Sequence, residues 1–78
     1  MKTAVVPLTM IQTEKEVVLV SIEAGWGLRK RLSDMGLREG MKFKVLHSRG
    51  HGACIVHVGN TRLVLGHGMA YKMLVKEA

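Results

Sequence analysis

His51 and His67 each stand between two glycines, and a pair of imidazoles with that much backbone freedom is where metal chemistry would be sought first. Gly59-Asn60 reads as a two-residue hairpin tip, so Val58 faces Thr61 and counting outward sets His51 opposite Gly68 and His67 opposite Gly52. The two rings can meet at the open end of that hairpin, with Cys54 or His47 approaching as a third donor for a transition metal. The donor set is thin. The chain has no Cys-x-x-Cys pair and no two histidines one turn apart on a predicted helix, and two rings without orienting partners would hold Fe2+ or Zn2+ weakly. Glycine-flanked histidines are also ordinary solvated turn residues, so both readings stand and no cofactor is required.

Bond-making chemistry has less to work with. There is no G-x-x-x-x-G-K-[ST] run, so nucleotide hydrolysis near this chain must belong to a partner. Cys54, the single cysteine, falls inside an alternating apolar segment, where a thiol is inert filler rather than a nucleophile. Asp34 and the scattered glutamates form no paired-carboxylate arrangement. The sequence predicts a protein that is not an enzyme.

What the chain has in quantity is positive charge, twelve Lys and Arg against six acids for a formal net +6. Such a body is drawn to acidic surfaces of protein, phosphate or lipid, and charge alone does not choose among them. Arg29, Lys30 and Arg31 are consecutive and fan around the outward side of a predicted helix, while Lys42 and Lys44 alternate onto one face of the strand after it. Trp26, the only tryptophan, lies between Gly25 and Gly27 and reads either as core packing or as an anchor for a partner. These residues, with Tyr71, make up the predicted partner-binding surface.

The elements that must position them are legible in turn. Leu28, Leu32 and Met35 form an apolar stripe at helical spacing, and Gly36 followed by Leu37 is the signature of a Schellman stop, predicting a helix that ends at Met35. Arg38-Glu39-Gly40 supplies a turn into a strand from Met41 to Leu46. Upstream, a loosely held tail runs through Val6, and Thr9 with Gln12 matches a capping box for a single helical turn. Val17 to Ile22 reads as the first strand. Past the mobile loop 47–52, Ala53 to Val58 and Thr61 to Leu65 form the hairpin, with Cys54, Val56 and Val58 on one face and Ile55 and His57 on the other. A helical turn over 66–71 and a last strand from Met73 to Lys76 complete the chain. The predicted class is mainly β, a small SH3-like barrel of five short strands with one amphipathic helix and one or two short helical turns, residues 1–78 making one domain.

The run GLRKRLSDMGLREGMKFKVL, followed at a distance by TRLVLGHGMAYKMLV, resembles the FeoA family of small cytoplasmic accessories to bacterial ferrous iron uptake. The matching pattern is a basic cluster, Leu32, Met35-Gly36-Leu37, Gly40, a hydrophobic strand, then Leu63-Val64-Leu65 and Leu74-Val75. The resemblance implies the same barrel, and a protein that binds the cytoplasmic G-protein domain of FeoB, the membrane ferrous iron transporter, and modulates transport. Related sequences usually carry a glycine in the connection occupied here by Glu14-Lys15-Glu16.

Length and composition bound the alternatives. Seventy-eight residues predict one domain at most, and a chain this short buries only about 60% of its unfolded surface, so its core is marginal. The apolar runs, such as Val17 to Val20, are far too short to span a bilayer, and MKTAVVPLTM lacks the apolar stretch and cleavage site of an export signal, which predicts a cytoplasmic protein. A basic nucleic-acid-binding barrel would need stacking aromatics, and Trp26, Tyr71 and a core Phe43 make a poor platform, so no nucleic acid is expected. A transition-metal-binding, iron-responsive regulatory module is the other alternative, because the C-terminal domain of certain metal-dependent repressors resembles FeoA. It lacks the helix-turn-helix that would touch DNA.

Overall fold

The alternation of apolar and polar residues from Glu16 onward resolves into one antiparallel sheet in the computed structural model, which describes residues 4–47 and 53–78. Its strands are β1 (Val6–Pro7), β2 (Glu16–Ile22), β3 (Lys42–His47), β4 (Cys54–Val58), β5 (Thr61–Leu65) and β6 (Met73–Glu77), in the spatial order β1-β6-β2-β3-β4-β5. That is one strand more than the sequence predicts. Val6 and Pro7 pair with Val75 and Leu74, so the expected loose tail is tied down from Val6 onward. Proline is tolerated there because an edge strand can do without one ladder N–H. Irregular register at Val20 in β2 and at Leu46 in β3 bends these short strands, and such bulges curl a sheet into a barrel.

Inside the curl, every strand after β1 contributes. Val17 and Leu19 meet Phe43, Val45, Cys54, Val56, Leu65, Met73 and Val75, all buried. Cys54 and Val56 face inward as their alternation requires, with Val58 packed at the margin. Leu8 and Ile11, around a 3-10 turn, Leu8–Met10, and Ala70 of α2 (His67–Tyr71) are buried as well, and the turn and α2 pack against each other and against β6. The turn near Thr9 is present, but its cap is Pro7 and no side chain bonds to it, so the predicted capping box does not form. Thr9 lies inside a turn of three residues rather than ahead of a longer helix.

The helix α1 (Trp26–Asp34) links the end of β2 to the start of β3 and begins two residues before the apolar stripe does. Its end is a full Schellman motif. Gly36 has φ 94°, its N–H donates to the Ser33 carbonyl at 2.9 Å, and the Leu37 N–H donates to the Leu32 carbonyl at 2.9 Å. Leu32 and Leu37 are both fully buried, which supplies the apolar contact of the motif.

In the connection ahead of β2, Glu14 has φ 74°, the one non-glycine residue described with positive φ. Its N–H donates to the Val45 carbonyl at 2.7 Å and its carboxylate sits 3.3 Å from the Lys44 ammonium. The left-handed conformation costs a residue with a Cβ roughly 1–2 kcal/mol, and an exposed ion pair returns only about 0–1 kcal/mol. Glu14→Gly is therefore expected to raise stability by about 1 kcal/mol, whereas Leu32→Ala should lower it by about 2–5 kcal/mol through the cavity it opens. Urea unfolding midpoints with unchanged slopes check both; an unstabilised Glu14→Gly would remove backbone strain from the account of this turn.

Candidate functional site

One face of α1 borders an open groove of ≈ 520 Å³. Trp26, Arg29, Lys30, Ser33 and Asp34 recur at three- and four-residue intervals and line it, while Leu28 and Leu32 turn the opposite stripe to the core. Ile22, at the end of β2, and Leu37, just past the helix, supply apolar lining, and Arg38 and Glu39 complete it. The Schellman stop makes this geometry, because it reverses the chain so that Leu37 to Glu39 run back beside the helix.

Trp26 is not packed in the core: its relative exposure is 75%. Arg29, Lys30 and Trp26 line the groove together. Arg31, Lys42, Lys44 and Tyr71 lie outside its lining. Arg31 points to another side of the helix, Lys42 and Lys44 lie on β3, and Tyr71 stacks its ring on His67 at 6.3 Å between centroids. The predicted surface is thus divided, with one part concave and aromatic and the others separate.

Electrostatically the groove is mixed rather than uniformly basic. Arg29 Nη2 lies 3.6 Å from Glu39 Oε2, and Lys30 Nζ lies 3.1 Å from Asp34 Oδ2, one turn along the helix. All four side chains stay about half exposed or more, so these pairs are worth no more than about 1 kcal/mol each and leave the charges available to a partner. Arg38 has no carboxylate within ion-pair distance among the described residues. It was missed in the sequence because it lies in the turn rather than on the helix; Ile22 and Leu37 were missed as groove residues because their spacing assigns them to the core.

The metal reading fares differently. His51 lies outside the described residues. The hairpin keeps its predicted register from Val58 opposite Thr61 to Cys54 opposite Leu65, but His67 then opens α2 instead of continuing the strand, so the outward count stops at Leu65. Among the described residues no three of His, Cys, Asp and Glu are grouped so as to hold a metal ion. No described helix is long and apolar enough to cross a membrane.

Six antiparallel strands curled around one apolar core, with two short helices, place the chain in the class of small SH3-like barrels. The family model described as FeoA domain matches residues 6–77, and the chain belongs to the FeoA family, whose members are accessories of ferrous iron transport rather than enzymes. A protein of Methanocaldococcus jannaschii described as Fe(2+) transport protein A is 33% identical over 72 residues, 92% of this chain and 87% of that one. The crystal structure of an iron uptake regulatory protein, FeoA, superposes with a TM-score of 0.88 at 33% identity, covering 96% of this chain and all of the other. A solution structure of FeoA from Chlorobium tepidum gives 0.79 at 26% identity, covering 91% of this chain and 69% of that one. A manganese-dependent transcriptional repressor shares the fold alone, at 16% identity over 44% of its own length.

Because Trp26 is the only tryptophan, intrinsic fluorescence reports this groove directly. The folded protein is expected to emit at a water-like wavelength and to be quenched by acrylamide nearly as efficiently as the urea-unfolded chain. A blue-shifted, protected emission would place the indole inside and remove it from the site.

Proposed function

We propose that this protein serves ferrous iron uptake in the cytoplasm by docking on the G-protein domain of a FeoB-type transporter and modulating transport, with the α1 groove as its contact surface. The observation that carries the reading is Trp26, exposed beside Arg29 and Lys30 over an apolar floor. An indole left in water is costly to a lone molecule and valuable to a complex. Burying its 150–250 Å² against a partner contributes on the order of 4–6 kcal/mol before association costs. Trp and Arg are the side chains in which binding energy concentrates, and the surrounding charges govern encounter rate and register more than final affinity. Family membership supplies the setting, and the absence of a phosphate-binding loop in the sequence leaves GTP hydrolysis to the partner.

Titration calorimetry of the isolated G-protein domain with this protein tests the proposal. Trp26→Ala should weaken binding by roughly 10- to 100-fold. Reversing Arg29, Lys30 and Arg31 to glutamate should abolish it at moderate salt while far-UV circular dichroism stays native. Full affinity in both variants would remove α1 from the interface.

A further inference from the structure

β5 ends the sheet, and no described strand lies on its outer side. The turn Gly59-Asn60, with Gly59 at φ 60°, fixes which backbone groups face that way. In a two-residue hairpin the closing pair, here Val58 and Thr61, exchanges hydrogen bonds, and bonded and non-bonded pairs then alternate. Val56 with Leu63 and Cys54 with Leu65 are therefore the bonded pairs, and the N–H and C=O of Arg62 and Val64 point away from β4. No other backbone hydrogen bond among the described residues reaches either one. These donors and acceptors, two residues apart, form the half-ladder that an incoming strand completes.

The side chains at this edge select what can add to it. Val64 is 64% exposed and shares its outward face with Arg62. Lys44 faces His57 across β3 and β4, and His57 faces Arg62 across the hairpin, so a row of basic residues crosses the sheet to its open side. The charge of the whole chain leans the same way. The first 39 residues hold six cations and five acids, and the last 39 hold six cations and one acid, Glu77. β3, β4, β5 and α2 contain no aspartate or glutamate. A second copy of a +6 chain is repelled from such an edge, while a strand with carboxylates on its outward face extends the row beyond Arg62. We infer that β5 is a strand-addition site for an extended, acidic segment of a protein partner. This surface is separate from the α1 groove and does not depend on the docking proposed there.

The test uses the full chain and a short synthetic peptide alternating glutamate and valine, followed by amide chemical shifts and hydrogen exchange. Arg62 and Val64 amides are expected to exchange freely in the protein alone, then to shift and gain protection as peptide is added. The same peptide N-methylated at alternate residues, or with lysine in place of glutamate, should bind at least roughly tenfold more weakly. Val64→Pro removes an outward donor without removing a ladder bond and should weaken binding by a similar factor. Arg62→Glu, which leaves the backbone intact, should reverse the preference toward the lysine peptide. Three results would overturn the assignment: protection of both amides in the free protein, undiminished binding of the N-methylated peptide, or sedimentation showing the edge occupied by a second copy.

Discussion

Leu19 fixes the position of everything between β2 and β3. Its side chain is fully buried, its N–H donates to the Met41 carbonyl at 2.9 Å, and its carbonyl accepts from the Gly40 N–H at 2.7 Å. β2 itself lies between β6 and β3 in the sheet. The excursion through α1 therefore leaves from one end of a central strand and is clamped back onto its middle. A nine-residue helix would be marginal alone, because nucleation is costly and short helices rarely persist in water. Here both of its ends are held by the sheet, and Leu32 and Leu37 close the gap beneath it. The groove with Trp26 is a product of that clamp rather than of the helix's own stability.

The core that does this work is apolar throughout: no polar or charged residue is buried among those described, and no buried side-chain polar atom lacks a partner. Specificity of fold then has to come from backbone corners instead of buried hydrogen-bond networks. Gly36, Gly40 and Gly59 supply positive φ at the helix stop, the turn into β3 and the hairpin tip. Glu14 does the same without the conformational advantage of glycine. Surface ion pairs add little to this balance, since the side chains in all four described pairs remain largely exposed.

What could be read from the chain follows from how local each signal is. The helix stop, the hairpin register and the inward faces of β3 and β4 depend on neighbours within a few residues, and the sequence carries them almost in full. β1 is illegible because two residues, one of them proline, show no period, and they become a strand only through β6 at the far end of the chain. Thr9 and Gln12 matched a real pattern whose outcome was decided by the shortness of the turn. At the candidate site, Arg29 and Lys30 were legible as surface cations, but the groove was not. It needs Ile22 and Leu37, which periodicity assigns to the core, to come up beside Trp26. The separation of Arg31, Lys42, Lys44 and Tyr71 from that groove is likewise a tertiary fact.

The two exposed surfaces differ in the kind of recognition they can perform. The α1 groove offers side chains, an indole and forked guanidinium groups, so it discriminates by shape and by the position of acceptors on a partner. The edge of β5 offers main-chain groups, which bind any extended backbone and leave selection to Arg62, Val64 and the charge behind them. β5 lies three strands from β2 in the sheet, about 14 Å around its curve at ordinary strand spacing. The barrel between them shares a single buried core, which makes it a rigid spacer rather than a hinge. A partner that engaged both surfaces would thus gain from their fixed separation, and one that engaged either alone would meet a surface already formed.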